Sequence, residues 1–225
     1  MKVTRAVIFT IIISLSLLAS PALAVSLQAD LVEIYTAPII LKPGPTLGCL
    51  SLLGLAFASD QGIRDYALDR QSPTGDNFFG SVTHLGHPAV GLAIAGGLTL
   101  AGEDEVAHKS ANAVIYSGFA TQAIKLIVGR PRPYVENRRA DPLSWDDDHW
   151  SFPSGHTASA FALARVLAEE YPDYKVLFYS GAILVGLSRI YLDEHHASDV
   201  IAGAAIGLYA GGHVEANTHL FEVKF

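Results

Sequence analysis

Six apolar blocks, at residues 46–59, 83–102, 105–128, 155–170, 174–191 and 197–215, are divided by short polar breaks, and this pattern fixes the fold class. The blocks are longer than ordinary strands, and Ala and Leu outnumber β-branched residues in most of them, which favours helix. Proline marks two of the breaks, in Gly129-Arg130-Pro131-Arg132-Pro133 and in Tyr171-Pro172-Asp173, because it cannot continue a helix. No internal repeat, low-complexity tract or dividing linker interrupts the series. The expectation is all-α: one domain over residues 46–225, built as a bundle of about six helices.

Residues 1–24 have the layout of a secretory signal peptide. Lys2 and Arg5 give a positive start, residues 7–19 an apolar run, and Ala22-Leu23-Ala24 a small-x-small cleavage pattern. A retained anchor helix is the alternative. Export to the periplasm or cell envelope follows as an expectation. Residues 25–45, with Pro38, Pro43 and Pro45, read as an extended segment leading into the bundle. The lone cysteine, Cys49, excludes an intramolecular disulfide and a Cys-based zinc site. A 50% hydrophobic content excludes a disordered chain. The formal net charge is −7, and loss of Lys2 and Arg5 with a signal peptide would take it to −9. Such acidity argues against nucleic-acid binding by phosphate neutralisation.

The solvent of the bundle stays open at this level. Residues 89–102 carry no charge on any face, whereas a water-facing helix shows a polar stripe. Yet the uncharged runs fall short of the roughly 20 residues that cross a bilayer core, and Lys125, Arg165, Glu169 and Glu170 lie inside blocks. A largely extramembrane bundle and a short-spanned membrane protein both fit.

Three motifs carry chemistry. In the first, residues 125–133, Lys125 is followed by a proline-stiffened loop bearing Arg130 and Arg132, which puts cationic donors on a rigid frame. Arginine grips a pair of phosphate oxygens with its planar fork, and lysine acts as a point charge. In the second, Pro153-Ser154-Gly155-His156, Ser154 is a natural N-cap, and the backbone N–H groups of Gly155 and His156 point out of a helix start. His156 stands where an imidazole could give a proton to a departing oxygen. In the third, residues 188–199, Arg189 offers another donor, while His195 and Asp199 are four apart and meet on one helical face. A carboxylate on one ring nitrogen fixes the tautomer and leaves the other nitrogen free to attack.

In order and spacing the three motifs resemble the type 2 phosphatidic acid phosphatase and vanadium haloperoxidase superfamily, whose pattern is K-x6-R-P, P-S-G-H and S-R-x5-H-x3-D. Here these are Lys125/Arg132-Pro133, Pro153-Ser154-Gly155-His156 and Ser188-Arg189/His195/Asp199, with no position missing. The flanking residues look like the phosphatase branch. The resemblance implies a helical bundle with its active site at the helix ends. It implies that His195 attacks phosphorus to form a phosphohistidine, that Asp199 orients it, and that His156 protonates the leaving group. Lys125, Arg132 and Arg189, with the Ser154 hydroxyl and the Gly155 amide, would hold the phosphate oxygens. No metal and no cofactor is implied, and vanadate would inhibit as a phosphate mimic. The expected activity is a metal-independent phosphatase acting on a phosphomonoester or pyrophosphate, a lipid phosphate foremost, with membrane association and no nucleic-acid partner. A vanadate-dependent haloperoxidase and a non-catalytic envelope anion-binding protein are the alternatives.

Other residues say less. His196 reads as a bystander to the nucleophile, and the run Trp145 to Trp150 as an acidic solvated loop or a lip over the site. His84 and His87 have no partner identifiable from spacing and receive no role.

Overall fold

The computed structural model describes residues 43–135 and 139–216. The expected signal peptide, 1–24, lies outside these residues. So does the expected extended segment 25–45, except for Pro43, Gly44 and Pro45, which open the first helix. Residues Leu47–His219 form a compact unit.

Among the described residues there are seven α-helices and no strand. They are α1 (Pro43–Leu68), α2 (Pro73–Val82), α3 (Pro88–Leu100), α4 (Asp104–Val128), α5 (Gly155–Glu170), α6 (Lys175–Tyr191) and α7 (Ala197–Ala216). Short 3₁₀ turns stand at Thr83–Gly86, Asp147–His149 and Pro172–Tyr174. The helix beyond the six apolar blocks is α2, whose sequence PTGDNFFGSV is too polar to stand out by composition.

Local signals set the boundaries. Ser72 caps α2 by accepting from Gly75 N (3.2 Å), with Pro73 next. His87 caps α3, its Nδ1 accepting from Ala89 N (3.1 Å) ahead of Pro88. Asp104 and Glu105 sit in the first turn of α4 and Lys125 in its last, matching the helix dipole at both ends. Gly129 ends α4 with φ 57°, and its N–H reaches the Lys125 carbonyl (2.8 Å). A Cβ there would also stand 2.1 Å from the Asp141 carbonyl oxygen, so glycine is needed twice over.

α5 is the central helix, packed on α4, α6 and α7. Its partnership with α7 rests on glycines spaced four apart. A Cβ at Gly203 would lie 2.4 Å from Ser154 O, at Gly207 2.3 Å from Ala158 O, and at Gly211 2.8 Å from Ala162 O. Each step of four on α7 matches a step of four on α5, so the two helices run parallel and start at the same end. Gly207→Ala is therefore expected to lower stability by about 3 kcal/mol or more, since the clash is with backbone rather than a flexible side chain. A melt in detergent that matches wild type within a degree would contradict this contact.

The interior is built from small residues. Ala113, Ala158 and Ala162 are fully buried, and Val114, Val166 and Val185 are the largest side chains completely covered. Many large ones point outward, such as Leu92 and Leu100 on α3, Phe119 and Ile127 on α4, and Leu177, Ile183 and Leu187 on α6, while Tyr116 and Leu163 are buried. Leu100 is 91% exposed. Among the described residues one helix, α4, is long and apolar enough to cross a membrane by length and composition.

The ends of the bundle differ. At one, the Lys109 ammonium is buried among Glu105 (2.9 Å), Glu170 and Glu215 (3.3 Å). At the other, the C-terminal ends of α4 and α6 meet the N-terminal ends of α5 and α7, and all three motifs converge there.

Candidate active site

The turn between α6 and α7 carries His195 and is held from several sides. Glu194 N and His195 N both donate to the Arg189 carbonyl (3.0 and 3.1 Å). Asp193 adopts φ 56°, a left-handed conformation that Asp tolerates better than most residues. Its carboxylate is clasped by Arg64 of α1 through two contacts of 2.7 Å. The His195 imidazole is thereby presented almost fully buried, with Nδ1 3.6 Å from Asp199 Oδ2. That spacing is an ion-pair distance and too long for a formed hydrogen bond. Nε2, on the far side of the ring, faces away from the carboxylate.

Asp199 is completely buried. Its Oδ2 accepts from Ser151 Oγ (2.5 Å) and His196 N (2.8 Å), and its Oδ1 from Arg130 Nη1 (2.6 Å). His196, read from sequence as a bystander, thus helps fix the carboxylate through its backbone. Arg130 is placed differently from the anion-binding donor that its loop suggested. Its guanidinium joins Asp199 to Asp60 of α1 (2.8 Å) and lies 4.8 Å from the Phe57 ring.

The remaining cations line one cradle. Lys125 is buried at the end of α4, its ammonium donating to the Trp150 carbonyl, and a Cβ on Gly155 would lie 3.9 Å from its Cε. Arg132 is held by the acidic loop through backbone: its N donates to Asp148 O (2.8 Å) and its Nε to Asp147 O (3.0 Å). The run 145–150 therefore holds Arg132 through its carbonyls. Arg189 donates to Thr83 Oγ1 (2.6 Å), and its Nε is buried without a hydrogen-bond partner. One carboxylate, Glu194, touches both arginines: Arg132 directly and Arg189 Nη2 at 3.3 Å. Ser154 caps α5, its Oγ accepting from Thr157 Oγ1 (2.9 Å), and its own N–H donates to the Asp199 carbonyl (3.0 Å).

His156, on the first turn of α5, meets His87 edge-on, with ring centroids 5.7 Å apart. Burial, and then the positive charges of Arg189, Lys125 and Arg132 around it, push its pKa from 6.5 down to about 3. Burial also pushes His195 down to about 3, against the opposing pull of Asp199. Both imidazoles therefore favour the neutral form at pH 7. For His195 this is the state a nucleophile needs. For His156, burial first and the surrounding cations second favour the same neutral form.

Two outcomes follow. A phosphate dianion among these cations reverses the field on His156, so phosphate or vanadate binding near pH 7 is expected to take up to one proton. Calorimetry in buffers of different ionisation enthalpy measures it, and identical heats in both would mean that His156 stays neutral. For stability, the unfolded chain takes a proton on His195 below about pH 6.5 and the folded chain does not. Stability is therefore full above that pH and falls toward pH 3, by about 1.4 kcal/mol per pH unit for this histidine.

Spacing did not reveal Asp60, Thr83, His87 or Glu194, which reach the site from other elements or from the turn itself. The one available signal was Asp60, an acid closing an otherwise apolar stretch.

Residues 107–217 match the PAP2 superfamily. A lipid A 1-phosphatase from Rhizobium johnstonii is 37% identical over 101 residues, which is 43% of this chain and 41% of that protein. A lipid A 1-phosphatase from Porphyromonas gingivalis is 49% identical over 65 residues, 27% of this chain and 15% of that protein. The chain thus spans well under half the length of these curated relatives. Among solved structures, Aquifex aeolicus LpxE superposes with a TM-score of 0.56 at 26% identity, covering 70% of this chain and 94% of that one. A transmembrane PAP2 type phosphatidylglycerolphosphate phosphatase from Bacillus subtilis shares the fold, with a TM-score of 0.61 at 20% identity over 80% and 96% of the two chains.

Proposed function

We propose that the protein is a phosphoric ester hydrolase that removes the terminal phosphate of a lipid through a phosphohistidine on His195. The observation that carries this reading is the meeting, at one end of the bundle, of a buried imidazole backed by a carboxylate (3.6 Å) with a cradle of lysine and arginines. Simple anion binding requires neither of the two histidines nor Asp199.

In the first step His195 Nε2 bonds to phosphorus, the phosphorus–oxygen bond to the lipid breaks, and His156 gives its proton to the departing oxygen. Asp199 stabilises the positive charge that develops on the His195 ring. In the second step water attacks phosphorus, His156 takes the proton from that water, and the phosphorus–nitrogen bond breaks to release inorganic phosphate. Lys125, Arg132 and Arg189, with the Ser154 hydroxyl and Gly155 N–H, hold the three equatorial oxygens. Phosphoryl transfer needs mainly positioning and charge stabilisation, and these fixed cations supply both without a metal ion. A phosphatase is favoured over a haloperoxidase because the relatives are named as phosphatases.

A lipid substrate is supported by the outward-facing Leu, Ile and Phe side chains over an interior of Ala and Val, a distribution that hydrocarbon solvates better than water. With the relatives named for lipid phosphates, this favours a bundle embedded in the envelope membrane, with the cradle at one surface. Purified protein in detergent, assayed on lipid A, phosphatidic acid, phosphatidylglycerolphosphate and a soluble chromogenic ester, tests the reading. Phosphate release is expected to be fastest from a lipid, to persist after exhaustive chelation, and to be blocked by vanadate. Loss of turnover on chelation with recovery in magnesium would overturn the metal-free mechanism.

A further inference from the structure

Asp60 lies on α1, outside the residues 107–217 that carry the family match. It is 6% exposed and every contact it makes points into the site. Its Oδ1 accepts from Ser198 N (2.9 Å), and its Oδ2 from Ser198 Oγ (2.6 Å) and Arg130 Nη2 (2.8 Å). The other guanidinium nitrogen of Arg130 donates to Asp199 Oδ1 (2.6 Å) and to Ser198 Oγ (2.7 Å). A largely buried line therefore runs carboxylate, guanidinium, carboxylate, imidazole: Asp60, Arg130, Asp199, His195.

The charge count along this line decides what Asp60 does. Arg130 and Asp199 alone would cancel, leaving little negative charge to meet the cation that grows on His195 during attack. With Asp60, two carboxylates share one guanidinium, and the surplus negative charge faces the imidazole. Ser198, the residue before Asp199, is also fixed by Asp60 at both its N–H and its hydroxyl, which sets the first turn of α7.

We propose that Asp60 is a positioning residue for the nucleophile: it neutralises Arg130 so that Asp199 stays available to His195. The proposal rests on reading His195 as the nucleophile. A purely structural plug would affect the amount of folded protein and nothing else. A charge-balancing residue affects kcat, leaves KM alone, and loses its importance once the Arg130 charge is gone.

The experiment measures kcat and KM on a soluble phosphate ester for wild type, Asp60→Asn, Asp60→Glu, Arg130→Gln and the Asp60→Asn/Arg130→Gln double variant, per folded protein. Asp60→Asn is expected to lower kcat by about 10- to 100-fold, the usual scale for a group that orients another, with KM changed less than about twofold. Asp60→Glu, which keeps the charge, is expected to recover part of the loss. In the Arg130→Gln background the Asp60 change is expected to cost almost nothing further, a non-additive cycle. An unaltered kcat in Asp60→Asn, a rise in KM alone, or additive losses would overturn the proposal. Should Asp60→Asn not fold, the double variant, which removes the charges of Asp60 and Arg130 together, is compared with Arg130→Gln: equal kcat supports the proposal and a further tenfold fall overturns it. His195→Ala is run beside them. Turnover by that variant defeats the nucleophile reading and this proposal with it, whereas its inactivity beside an unaltered Asp60→Asn defeats this proposal alone.

Discussion

His195→Ala is expected to lower kcat by about 10⁴-fold or more and to abolish any acid-quenched phosphoenzyme. The size of the effect follows from chemistry that no neighbour can replace. His195 is 3% exposed, so water does not readily take its place, and His196 beside it is engaged through its backbone N–H with Asp199. The cradle of Lys125, Arg132 and Arg189 is left intact, so vanadate or phosphate affinity is expected to change little. That pairing of a lost rate with a kept affinity is the informative result. A variant that loses both has lost its fold, and one that keeps its rate uses another nucleophile.

Asp199→Asn is expected to reduce turnover by about 10³- to 10⁴-fold, because an amide holds the ring without supplying the charge that offsets an imidazolium. It is also expected to cost about 3–5 kcal/mol of stability, the scale for breaking one side of a buried ion pair. The reason lies in the donor count. Arg130, Ser151 and the His196 N–H all aim donors at this carboxylate, so an amide nitrogen placed there faces a donor whichever way it turns. Melting in detergent and kcat per folded protein separate the two effects. If the rate falls only in step with the folded fraction, the Asp199 charge plays no part in the reaction.

The chemistry-bearing positions were legible because each motif is local. Ser154, Gly155 and His156 sit within one helix start, and His195 stands in the turn just before the first turn of α7 that carries Asp199, so short spacing brought each set together. The helices were legible for the same reason, with α2 lost among polar residues. What reaches the site from far along the chain was not legible. Arg189 meets Thr83 across 106 positions and Ser198 meets Asp60 across 138, and neither pairing leaves a periodic trace. Arg130 shows the limit most clearly. Its type and place suit an anion, yet two carboxylates claim it, one of them invisible without α1. The choice of solvent stayed open because run length counts residues and says nothing of which side chains face out.

Glu194 gives the site a valence rule. Three cationic groups with nothing between them would draw in any passing anion, but here a carboxylate already bridges Arg132 and Arg189, so an arriving anion exchanges with a negative charge already in place. Chloride, or the bridging phosphate of a diester, brings a single charge and gains nothing over the tenant. A terminal phosphate carries about 1.5 to 2 charges near neutral pH, and only that excess drives the exchange forward. Placed one residue before His195, Glu194 would thus, on the function proposed above, weight a cradle of general anion-binding chemistry toward the ends of phosphorylated molecules.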